Sequence, residues 1–120
     1  MTILETSRQF TPIELYKLTK DPLVEKLSDH LNETLKITGY CQFEDIDKKS
    51  GEMKTLLTFE LSEGNPIATN SSTVIQSFAD ILSIYNGAGT ENPFPFTVEV
   101  FSTESKTSRR PYLNIRLIER

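Results

Sequence analysis

The chain has 120 residues, 37% hydrophobic and 25% charged, and a formal net charge of −4; that is the balance of one compact domain and excludes a disordered tail. Its single cysteine, Cys41, excludes an internal disulfide framework, and no cluster of Cys and His is present to hold structural zinc. No stretch approaches the roughly 20 apolar residues of a membrane span, and Met1-Thr2-Ile3-Leu4-Glu5 lacks the basic and apolar regions of a secretory signal, so the expectation is a cytoplasmic protein in a reducing compartment.

Thr11-Pro12-Ile13-Glu14 reads as a helix start, with Thr11 as cap, Pro12 at the first helical position and Glu14 where a capping box needs its acid. Phe10 and Leu15 form the matching hydrophobic staple. Asp21-Pro22 then reads as the start of a second short helix carrying Leu23, Val24 and Leu27. From Leu35 the period changes to two, placing Leu35, Ile37, Cys41 and Phe43 on one face of a strand and Lys36, Thr38, Tyr40 and Gln42 on the other. Gly39 inside that strand marks a bulge or sharp bend. Asp47-Lys48-Lys49-Ser50-Gly51 is a hairpin loop into a strand from about Met53 to Leu61, and Glu63-Gly64-Asn65-Pro66 turns into a short third strand around Ile67 and Ala68.

Asn70-Ser71-Ser72 offers caps for a helix in which Val74, Ile75, Phe78, Ile81, Leu82 and Tyr85 recur at three- and four-residue spacing, ending at Asn86-Gly87. Two final strands alternate Phe96, Val98 and Val100 with Thr97, Glu99 and Phe101, then Leu113, Ile115 and Leu117 with Tyr112, Asn114 and Arg116. The predicted order is three strands, a helix and two strands after a helical extension. That is the layout of a mainly β, five-stranded OB-fold barrel over residues 31–120, preceded by an N-terminal extension over residues 1–30 with two short helices.

The stretches Phe10-Thr11-Pro12-Ile13-Glu14-Leu15-Tyr16, Ala68-Thr69-Asn70-Ser71 and Phe96-Thr97-Val98-Glu99-Val100 resemble the small single-stranded DNA-binding proteins encoded by phages and conjugative plasmids of Gram-positive bacteria. The resemblance spans nearly the whole chain and implies sequence-tolerant coating of single-stranded DNA during DNA replication or plasmid conjugation. Cellular housekeeping proteins of this kind end in an acidic tail tipped by apolar residues, whereas this chain ends Arg116-Leu117-Ile118-Glu119-Arg120. Recruitment of partner enzymes by such a tail is therefore not expected, nor is the family's usual tetramer carried over.

The chemistry for that activity concentrates at the end of the chain. Between Ser102 and Arg120 five cations (Lys106, Arg109, Arg110, Arg116 and Arg120) stand against two acids (Glu104 and Glu119), although the whole chain is acidic. Cations neutralise phosphates at any sequence, and flat rings stack on bases that a duplex hides. Tyr40, Phe101 and Tyr112 are the expected stacking rings, and Lys106, Arg109, Arg110 and Arg116 the expected phosphate contacts. Lys48, Lys49 and Lys54 rank below them because Glu44, Asp45, Asp47 and Glu52 lie alongside.

Residues 1–9, short and partly apolar, are expected outside the barrel, packed on a neighbouring copy in a homo-oligomer. Asp45-Ile46-Asp47 with Gly51 departs from a calcium loop at the third and twelfth ligand positions, and Gly87-Ala88-Gly89 lacks the context of a dinucleotide fingerprint. Cys41 alternates with Ile37 and Phe43, so it reads as a small buried hydrophobe rather than a nucleophile beside His30. Neither an enzyme nor a cofactor is implied. The alternative reading is a protein-protein interaction module on the same barrel, which the net acidity favours, and a third is an oligosaccharide-binding domain.

Overall fold

Thirteen consecutive residues, Thr34–Ile46, form the strand around which the sheet is organised. The computed structural model describes residues 1–104 and 111–119. In chain order its elements are β1 (Thr2–Thr6), α1 (Pro12–Thr19), β2 (Glu25–Lys26), a 3-10 turn (Leu27–His30), β3 (Thr34–Ile46), β4 (Met53–Leu61), β5 (Ile67–Thr69), α2 (Ser72–Gly87), β6 (Phe96–Glu104) and β7 (Pro111–Ile118). The sheet runs β2-β5-β4-β3-β6-β7, with β1 paired to β3. β4 occupies one edge of β3 from Ile37 to Ile46, while the other edge takes β6 at its start and β1 at its end. A strand whose two ends have different neighbours curls the sheet, and the result is a mainly β, half-barrel shape with two helices.

Local signals explain most of these elements. The Thr11 side chain accepts from the Glu14 amide at 3.2 Å and the Glu14 carboxylate accepts from the Thr11 amide at 2.8 Å, closing the capping box that starts α1. Ser71 caps α2 by accepting from the Val74 amide. Val74, Phe78 and Ile81 of α2 are buried against Ile37, Phe59, Val98, Val100 and Ile115 of the concave face. Burial of each such side chain stabilises by about 1.5–3 kcal/mol. A second cluster lies on the outer face, where Phe10 and Leu18 cover Cys41 and Phe43.

The elements of the structure depart from the sequence reading in the N-terminal part of the chain. Among the described residues seven strands form where five were expected. Residues 2–6 are β1 of the protein's own sheet rather than a segment outside the barrel. The second short helix is replaced by β2, which pairs parallel to β5, and by the 3-10 turn. Asp21 explains the last difference: its carboxylate accepts from the Leu23 amide, an Asx turn, and two residues on the Glu25 amide bonds to the Pro66 carbonyl instead of continuing a helix.

Gly39 is required where residues 7–8 cross β3. A Cβ there would lie 2.7 Å from Ser7 Oγ and 2.9 Å from Glu60 Oε1. Neither atom is free to yield, because Ser7 Oγ accepts from the Tyr40 amide at 2.9 Å and Glu60 is held by Arg8 and Thr38. Gly39→Ala is expected to lower stability by about 1–3 kcal/mol in urea denaturation, with amide exchange of β1 rising first. An unchanged midpoint would show that this crossing repacks without loss.

Candidate nucleic-acid interface

The β6–β7 hairpin sorts its side chains by alternation. Val98, Val100 and Ile115 face the core, while Glu99 lies opposite Arg116, Phe101 opposite Asn114 and Thr103 opposite Tyr112 on the other face. The structure therefore brings Phe101, Tyr112 and Arg116 together, as alternation predicts. The Arg116 guanidinium sits 5.5 Å over the Phe101 ring and pairs with Glu99. One face of Phe101 is thus already met by a cation, an interaction of about 0.5–1 kcal/mol at an exposed site. Tyr112 is 40% exposed, a flat ring open to stacking. Asn114 accepts from Ser77 of α2 at 2.6 Å, which fixes the middle of β7 against the helix. Lys106, Arg109 and Arg110 fall outside the described residues.

Tyr40 is not on the polar face. The register steps from Ile37 opposite Leu61 to Gly39 opposite Glu60, so β3 uses two residues where β4 uses one, and the facing of everything after the bulge reverses. Leu35 and Ile37 enter the main core, Tyr40 follows them there at 5% exposure, and Cys41 and Phe43 pass to the outer cluster. The Tyr40 ring lies 5.0 Å edge-on from Phe78 and 6.0 Å from Phe94. Burial, together with a hydrogen bond from its hydroxyl to Glu5, holds the phenol well above its ordinary pKa. A ring so enclosed packs the core and offers no surface to a base.

The same reversal builds a groove that sequence reasoning missed. On the outer face Phe43 pairs with Leu56, Asp45 with Lys54, and Thr58 with Ala68. α1 covers Cys41 and Phe43, and the partly buried Leu56 packs against the same cluster, with Lys54 and Ala68 beside it. Lys54, Leu56 and Ala68 are shared by two adjoining hollows of about 490 and 500 Å³. One hollow reaches Lys48 and Lys49 in the β3–β4 hairpin; the other reaches Lys26 on β2 and Leu113, the neighbour of Tyr112. The groove thus runs from the hairpin across β4 and β5 to the start of β7.

Its electrostatics also differ from the linear charge pattern. Asp45 is taken up by Lys20 of the segment after α1, and that bond, with one from the Ile46 amide, holds its carboxyl below the usual range. Lys54 stands 4.0 Å from Asp47. Among the described residues no carboxylate pairs with Lys26, Lys48 or Lys49. The signal that could have found the groove was the outward set Lys54, Leu56 and Ala68, read alongside the inward Leu57 and Phe59.

No protein-family model, curated protein or solved structure matches the chain. Among the described residues no three His, Cys, Asp or Glu side chains are grouped to hold a metal, and no helix is long and apolar enough to cross a membrane. Burial pushes the Cys41 thiol up to about 11, and both His30 ring nitrogens are bonded to Glu25 and Glu33, so the two do not form a nucleophilic pair.

Proposed function

We infer that the protein binds single-stranded DNA without sequence preference, as a coating protein in phage replication or plasmid conjugation. The observation that carries the reading is the groove of four lysines, Lys26, Lys48, Lys49 and Lys54, which ends at Leu113, next in sequence to the exposed ring of Tyr112 on β7. Lysines along a channel track phosphates, and a ring at its exit stacks on bases. An OB-type barrel made of β3 to β7 fits this use: α2 falls between its third and fourth strands, and β3 pairs with both the second and the fourth. Lys106, Arg109 and Arg110, which lie in sequence between β6 and β7, are further phosphate contacts on this reading. No cofactor has a part in this activity.

The protein acts as a homo-oligomer in the cytoplasm on this reading. Among the described residues β1 pairs with β3 along one edge only, and Met1, Ile3 and Leu4 are exposed beside it, so the outer edge of β1 is the contact for a neighbouring copy on this reading. The carboxylates that accompany the groove, Asp45 and Asp47, with the net charge of −4, favour a second reading, a barrel that docks another polypeptide.

Fluorescence anisotropy of a labelled thymidine oligonucleotide separates the two. Single-strand binding is expected to weaken with salt at a log-log slope of ~−0.7 per contacted phosphate and to ignore a duplex competitor of equal length. Tyr112→Ala should weaken it by about 1–3 kcal/mol with no loss of fold. Absence of binding at low salt transfers the assignment to the polypeptide-docking reading.

A further inference from the structure

The two ends of the sheet, β2 and β7, do not pair with each other. The seam between them is spanned by residues 27–33, which leave β2, pass through the buried Leu27 and the 3-10 turn, and reach β6 where the Asn32 amide bonds to the Val100 carbonyl and the Val100 amide to the Glu33 carbonyl, at 2.8 and 2.9 Å. His30 ties the two sides of this span. Its Nε2 lies 2.8 Å from Glu25 Oε1 on β2, and its Nδ1 lies 3.0 Å from Glu33 Oε1 beside β6. Glu25 is fixed in turn to the β4–β5 turn, through its second oxygen to Asn65 Nδ2 at 3.0 Å and through its amide to the Pro66 carbonyl at 2.9 Å.

This arrangement requires a proton. A neutral imidazole has one N–H and one lone pair, while an ionised carboxylate only accepts. With a carboxylate oxygen at hydrogen-bond distance from each nitrogen, the neutral ring would satisfy one and oppose its lone pair to the other. The imidazolium satisfies both.

We propose that His30, Glu25 and Glu33 form a proton-operated clasp that positions β2 as a wall of the groove, so that the groove closes on a polyanionic strand more firmly when His30 is charged. The link to the groove is direct: Glu25 is bonded to His30 and, with Lys26, Leu27 and Ser28, lines the hollow that leads to Leu113. The charged groups around the imidazole are Glu25 and Glu33 with Lys36 of β3 and Glu63 of the turn after β4, which line the cavity beside it; β5, packed against the turn, brings no charge. The hydrogen bond to Glu33, opposed by partial burial and reinforced by Glu25, raises the His30 pKa. A raised folded-state value means that the clasp is fully made below the ordinary histidine value of about 6.5 and is lost as pH rises through the higher folded value. His30 is a positioning residue in this scheme and need not touch the strand.

The effect on the groove rests on the nucleic-acid reading, whereas the clasp itself does not, and the test reads the two separately. In the full chain, NMR would follow the His30 ring carbons and the amide protection factors of Glu25, Lys26 and Leu27 between about pH 6 and pH 8, with oligonucleotide affinity measured over the same range. Protection and affinity should fall together as His30 deprotonates, by on the order of fivefold, the low end of ordinary coupling between sites. His30→Gln should abolish that dependence, and Glu33→Gln, a change at an exposed side chain, should move its midpoint to lower pH. Protection that stays constant through the His30 titration, or pH dependence unaltered in His30→Gln, overturns the clasp. Protection that responds as described in a protein that binds no oligonucleotide at any pH establishes the clasp and rejects the nucleic-acid reading alone.

Discussion

Tyr40→Ala is expected to lower unfolding free energy by about 3–5 kcal/mol, the range for removing a large aromatic side chain from a core, and to leave oligonucleotide affinity of the folded fraction unchanged. The ring fills the space between Phe78 of α2 and Phe94 of the segment before β6, at 5.0 and 6.0 Å, and its removal opens a cavity at the junction of helix and sheet. Tyr40→Phe keeps that packing and removes only the hydrogen bond to Glu5, a partner at the exposed edge of the sheet, so it should cost about 1 kcal/mol or less. Chemical denaturation of the two variants, beside anisotropy, checks the assignment. A Tyr40→Ala protein of native stability with weakened binding would return Tyr40 to the interface.

The contrast between Tyr40 and Tyr112 shows which information a linear pattern carries. Facing is read by counting in twos, and the count is valid only while the ladder is uninterrupted. On β7 it is uninterrupted, so Tyr112 and Arg116 fall on the expected face with Phe101 opposite Asn114. On β3 the bulge before Gly39 adds one residue, and every later side chain changes sides. Gly39 was visible as an irregularity, but its direction depends on Ser7, Arg8 and Glu60, which are distant in sequence and crowd the site. Elements with self-contained signals, such as the Thr11–Glu14 box and the cap at Ser71, were legible for the same reason that they are local.

β1 and β2 were hidden because each is specified by its partner. Thr2–Thr6 has four exposed residues of five and gains strand structure only by pairing with residues 41–44. Glu25–Lys26 is a two-residue strand whose identity comes from Ile67 and Ala68. The groove was missed on similar grounds: Lys48, Lys49 and Lys54 look neutralised by Asp45 and Asp47 in sequence, yet the fold delivers Lys20 from the end of α1 to Asp45.

That redistribution makes the lysines of the groove the strongest test of binding. Lys48→Ala, Lys49→Ala and Lys54→Ala combined should reduce oligonucleotide affinity by about two orders of magnitude, at about 1 kcal/mol for each phosphate deprived of its lysine. The log-log salt slope should become shallower by about two, at ~0.7 for each phosphate. All three side chains line the groove without burying in the core, and Lys54 stands only within 4.0 Å of Asp47, so thermal stability should stay close to that of the unaltered chain. The two readouts separate the groove from the aromatic face: Tyr112→Ala lowers affinity at every salt concentration and keeps the slope, whereas the lysine variant changes the slope itself. A lysine variant with the original slope would confine the phosphate path to Arg116 and the cations of residues 105–110, leaving the face of β4 and β5 free for another partner.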